Sequence, residues 1–201
     1  RCKDSNDKTQ ESLIKMLGLE GEGSLLENIK NKHLLPVAIS YEYDPNDYLK
    51  AREFLLKRKN PDYKKSQRDD LFSMETGILQ FKGYVHFSVG EPINCALELI
   101  PADMDKGEVA KQICSLVDNS IYRGYHIYPI NYIALDKLES SQRFADKYTQ
   151  KEVDAFDEYI KTQLAKIDDI PNLTDEDMQY MREMMLTMYA NPLRNKLRTE
   201  E

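Results

Sequence analysis

Apolar and polar positions follow one another along this chain with changing period, and each period names an element. Short helices are predicted first, over residues 9–17 and in a segment opened by Ser24 with Glu27 three residues on. That pair is the reciprocal capping pattern that satisfies orphan backbone N–H groups. Gly18, Gly21 and Gly23 separate the two helices. Residues 34–43 then begin with a continuous apolar run around Pro36, which predicts a strand buried on both faces inside a parallel sheet flanked by helices. Asp44-Pro45 reads as an N-cap followed by proline at the first helical position, so a helix is predicted over 45–59. Asn60-Pro61 breaks it, and a further helix is expected over 70–80. After Lys82-Gly83, the side chains of Val85, Phe87 and Val89 point one way and those of Tyr84, His86 and Ser88 the other, the period of a strand that stops at Gly90-Glu91-Pro92.

From residue 107 to 122 the positions Val109, Ile113, Leu116, Val117 and Ile121 recur at helical spacing. The tyrosine-rich stretch after it, 122–135, fits either a strand or a helix. The last third changes character. Thr149 with Glu152 opens a helix striped by Val153, Phe156, Ile160, Leu164 and Ile167, and Thr174 with Asp177 opens another carrying Met178, Met181, Met184, Met185 and Met188. Two amphipathic helices joined by a short loop make an αα-hairpin. The pattern therefore predicts an α/β class with two portions: residues 1–138 as a mixed α/β part and 139–201 as a helical extension.

Length and composition narrow the partners. The 201 residues are 41% hydrophobic, enough for a sizeable core, and the longest uncharged stretch, 124–135, contains Pro129 and is too short to span a bilayer. A net charge of −7 disfavours nucleic acid, because phosphate backbones call for clustered Lys and Arg in a basic domain. Cys2, Cys95 and Cys114 are an odd, scattered set with no CxxC pair, which argues against a disulfide framework or a zinc site and for a reducing compartment. The opening Arg1 and the polar residues after it contain no signal-peptide pattern, and the chain reads as a fragment or processed product.

Candidate chemistry is sparse. His33, His86 and His126 show no histidine base with a neighbouring carboxylate to orient it; His86 and Glu91 have a His-x4-acid separation, but on a strand followed by Gly-Glu-Pro the two side chains would part. Asp4, Asn6, Asp7 and Glu11 loosely follow a calcium loop, yet Thr9 and Lys15 stand where the Gly and bidentate Glu are needed, so a polar turn is the simpler reading. Against the acidic background, Lys50, Arg52, Lys57, Arg58, Lys59, Lys64, Lys65 and Arg68 meet only Glu53 and Asp62. Such a segment, with Lys57, Arg58, Lys59, Lys64 and Lys65 at its heart, could hold anionic lipid headgroups or an acidic carrier protein, or be a solvated helix face and loop. The methionine stripe reads more simply as core than as a site.

Three pieces together resemble the glycerolipid (1-acylglycerol-3-phosphate-type) acyltransferases. The segment 1–9, Arg-Cys-Lys-Asp-Ser-Asn-Asp-Lys-Thr, is similar to the tail of that family's phosphate-binding block; Leu35-Pro36-Val37-Ala38-Ile39 is similar to a later proline-plus-strand motif; and residues 84–93 resemble the strand and Gly-x-Pro-Ile that close the core. The resemblance implies a partial acyltransferase-type sheet flanked by helices. It implies transfer of a fatty acyl group from an acyl carrier protein or acyl-CoA to a lysolipid or glycerolipid hydroxyl, with Arg1, Lys3 and Pro36 on the substrate side and no cofactor or metal beyond the acyl donor. The family's His-x4-Asp dyad would lie upstream of Arg1, leaving this chain inactive alone. The cytoplasmic, peripheral face of a membrane would be its place of work. A non-catalytic module binding an anionic membrane or acidic partner through 50–68 is the alternative.

Overall fold

The structure, a computed structural model, describes residues 8–200; Arg1, Cys2 and Lys3 lie outside the described residues. It is mostly helical, with one two-stranded antiparallel sheet among the described residues. Helices α1 (Glu11–Leu17) and α2 (Leu25–Lys32) lead into β1 (Val37–Tyr41), followed by α3 (Asp47–Lys59), α4 (Gln67–Leu79), β2 (Val85–Val89) and α5 (Asn94–Leu97). Then come α6 (Lys106–Gly124), α7 (Pro129–Glu139), a 3-10 turn (Ala145–Lys147), α8 (Gln150–Leu164) and α9 (Asp175–Leu197).

The expected capping residues open their helices. Ser24, Thr149 and Thr174 each accept from the backbone N–H three residues on, and Glu27, Glu152 and Asp177 return the bond. A fourth box, Ser66 with Asp69, starts α4 at Gln67, three residues before the helix expected at 70. At α3, Asp44 accepts from the Asn46 N–H at 2.9 Å, so its Asx turn precedes the helix and Pro45 sits in the turn. The tyrosine-rich stretch resolves as α7, with Pro129 at its first position and Asn131 Oδ1 accepting from the Tyr128 N–H at 2.7 Å.

The sheet differs from the one expected. β1 pairs antiparallel with β2, Ile39 opposite Phe87, and only alternate residues of β1 are buried. The apolar run around Pro36 arises because Val37, Ile39 and Tyr41 face outward while Ala38 and Ser40 face inward, so the run marks two unlike faces, not burial on both sides. Helix α6 lies on the inner face. Its last residue is Gly124 because a Cβ there would stand 3.0 Å from that of Ala38 and 3.2 Å from the Ser88 hydroxyl.

Two apolar cores flank this unit. One gathers Ile14, Leu25, Leu26, Ile29, Leu97, Val109 and Ile113 from α1, α2, α5 and α6. The larger joins Ala51 and Leu55 of α3 to α7, α8 and α9, with Phe156, Ile160, Met181 and Met185 fully buried. Each such side chain stabilises by about 1.5–3 kcal/mol. The methionine stripe is therefore core, as its simpler reading had it. Helices α8 and α9 are the two members of the expected hairpin, and the core they share with α3 and α7 spans residue 138.

Candidate functional site

The positively charged segment at 50–68 is matched by carboxylates from elsewhere in the fold. Arg52 makes a forked pair with Asp169, Arg58 pairs with Glu176, and Lys59 meets Asp177 at 2.6 Å, tying α3 to the start of α9. Lys57 and Lys65 both reach Glu53, at 2.8 and 3.3 Å, and Lys65 also approaches Asp70 at 3.7 Å. Lys64 stands exposed beside them. Most of this charge is thus spent within the molecule, on pairs of the kind worth about 0–1 kcal/mol each. Pro36 is buried at the entry of β1, where its carbonyl accepts from the Gly90 N–H at 2.9 Å.

The outward face of the sheet is apolar throughout. Val37 opposite Val89, Ile39 opposite Phe87 and Tyr41 opposite Val85 form three cross-strand pairs, and all six side chains are exposed, Phe87 and Val89 at 63% each. Such pairs ordinarily face a core. Helix α4 and the turn after it add Leu71, Met74, Ile78, Leu79 and Phe81, each more than 60% exposed. Apolar side chains exposed together in this way are common at interaction surfaces.

Histidines meet on the inner side of β2. His86 lies against His126 with ring centroids 4.9 Å apart, and the Tyr128 ring meets His126 edge-on at 4.7 Å. The His126 backbone N–H donates to the Ser40 hydroxyl at 3.0 Å, which fixes the segment to β1. The two imidazoles open into a cleft of about 550 Å³ that Arg123, Lys147 and Lys196 also line. Lys147 is brought there by a loop gathered on Asp136, which accepts from Ser141 Oγ at 2.6 Å, the Phe144 N–H at 2.9 Å and Tyr148 Oη at 2.9 Å. Burial pushes the Asp136 carboxyl up, but these donors outweigh it and hold it below the usual carboxylate range. No imidazole pairs with a carboxylate among the described residues, so His86 and Glu91 form no dyad, and no cluster of side chains among those residues could hold a metal ion.

A buried titratable centre lies in the larger core. Asp47 is fully buried and accepts from Tyr159 Oη and Tyr189 Oη, both at 2.7 Å, and from the Tyr48 N–H at 2.6 Å. Burial pushes its carboxyl up to about 6, against the pull of the two tyrosine donors. The same burial, with the Asp47 charge beside them, raises both phenols. The Asp47 centre and the histidine cleft join residues distant in the chain, so local sequence carried no signal for either beyond the tyrosine-rich stretch around His126.

No family model, curated protein or solved structure matches this chain. No helix among the described residues is long and apolar enough to cross a membrane.

Proposed function

We propose that this chain is the acceptor-side and core-closing part of a glycerolipid acyltransferase, with the catalytic dyad supplied by a polypeptide segment outside this sequence. The observation that carries the reading is the open apolar face of β1 and β2. Six aligned apolar side chains on a short sheet suit a body whose core is completed by further polypeptide, and a two-stranded sheet alone is marginal.

The chemistry asks little of this portion. A thioester is already activated, so the added segment's histidine takes the acceptor hydroxyl's proton while the oxygen bonds to the acyl carbon. The carbon–sulfur bond then breaks, and the thiol leaves with that proton. Backbone or side-chain donors steady the oxyanion between the two steps. The acyl donor is an acyl carrier protein or acyl-CoA, and the acceptor a lysolipid or glycerolipid. Exposed Leu71, Met74 and Ile78 on α4 support work at the cytoplasmic surface of a membrane, where such side chains enter the headgroup boundary.

Sequencing the coding region upstream of Arg1 tests the proposal. It should encode His-x4-Asp within about 150 residues, the scale of one domain; an open reading frame that lacks the motif there overturns it.

A further inference from the structure

The cleft beside His86 and His126 is a positive concavity in an otherwise acidic molecule. It is lined by Arg123 from the end of α6, Lys147 from the 3-10 turn and Lys196 from α9, with Glu200 the one lining carboxylate among the described residues. The formal lining charge is therefore positive even with both imidazoles neutral, whereas the whole chain carries −7. Each cation is placed differently. Lys196 donates to the Tyr125 carbonyl at 2.6 Å, cancelling the carbonyl end of α6. Lys147 meets Asp146 at 3.0 Å in an exposed pair, which a better anion displaces at small cost. Arg123 is exposed and meets no carboxylate among the described residues.

In the 50–68 segment most cations have carboxylate partners, as Lys147 has in the cleft; the cleft differs through Arg123 and the two imidazoles, which meet no carboxylate among the described residues. In the cleft, Arg123 and the two imidazoles line an open cavity together. Guanidinium and imidazole donors gathered around one cavity match the several acceptor oxygens of a phosphate, and charge-assisted bonds to phosphate are among the strongest a protein makes. Apolar wall is present as well, from Phe144, Leu193 and Leu197. A ligand suited to both kinds of wall carries a phosphate at one end and a carbon skeleton at the other.

We propose that this cleft is a binding site for a phosphomonoester, its phosphate held by Arg123 and the His86–His126 pair, with Lys147 as a secondary contact. The inference does not depend on acyl transfer and would stand if that reading failed.

Three histidines make the test direct, because His33 lies at the end of α2, away from the cleft, and serves as an internal reference. Imidazole resonances, assigned with His86→Asn and His126→Asn, are followed while inorganic phosphate, glycerol 3-phosphate and a short-chain lysophosphatidic acid below its micelle concentration are added at constant ionic strength. The His86 and His126 signals should move together and saturate with each of the three probes, with His33 unmoved. A tighter curve for the acyl-bearing probe identifies a lipid as the source; equal curves for inorganic phosphate and glycerol 3-phosphate identify the bare phosphate. Arg123→Gln should weaken binding about tenfold and Lys147→Gln about threefold. Arg123 is exposed, so its replacement leaves the fold intact. No movement with any probe, parallel movement of all three histidines, or an unchanged curve in Arg123→Gln overturns the proposal.

Discussion

Replacing Asp47 by Asn removes a carboxyl that burial has pushed up to about 6, and its effect is best read as a change with pH. The same carboxyl in the unfolded chain titrates near 3.8. Between those values the folded protein holds a proton that the unfolded chain has released, so stability falls as pH rises. The stabilisation is fully present below about pH 4 and lost once pH has passed about 6; the difference corresponds to about 3 kcal/mol. The amide that replaces the carboxyl in Asp47→Asn cannot titrate. Urea unfolding of both proteins between pH 3.5 and 7.5 separates this group from every other, because the remaining carboxylates cancel in the difference. The wild-type protein should lose about 3 kcal/mol relative to Asp47→Asn over that range. A difference that stays flat, or that grows in favour of the wild type as pH rises, would refute the account of Asp47 as a carboxyl whose charge is penalised by burial.

Packing and pairing set the other expected outcomes. Phe156→Ala empties a fully buried position between α8 and α9 and should cost about 3–5 kcal/mol in urea unfolding. Thr174→Ala removes the cap of α9 and should cost about 1 kcal/mol by the same assay. Neutralising Lys57, Arg58 and Lys59 removes exposed pairs with Glu53, Glu176 and Asp177 and should lower stability only slightly in the same assay, because solvent screens them. Ile39→Ser with Phe87→Ser, on the open sheet face, removes one cross-strand pair and should cost about 1–2 kcal/mol while lowering the chain's binding of an apolar dye.

Much of the helical framework was legible because its signals are local. The Ser24, Thr149 and Thr174 capping boxes, the break at Asn60-Pro61 and the apolar stripes of α6 and α8 each act within a turn or two of chain. The sheet was legible in period and not in partner. Alternation at 85–89 gave the two faces of β2, but pattern alone does not say which face is covered, and here the apolar one lies open. The pairing of the charge at 50–68 was not legible for a related reason: Asp169, Glu176 and Asp177, which meet Arg52, Arg58 and Lys59, stand more than a hundred residues away. The histidine cleft was beyond sequence reading because it joins β2, the end of α6 and the end of α9.

Acyl transfer itself is the most direct test of the central proposal. The chain alone and the chain joined to the polypeptide encoded upstream of it are each given acyl carrier protein or CoA thioester and a lysophosphatidic acid acceptor, and the diacyl product is measured. No product is expected from the chain alone, turnover is expected from the joined protein, and that turnover should be lost when the upstream histidine is replaced by alanine. Turnover by the isolated chain, or none by a folded joined protein with either donor, would contradict the proposal.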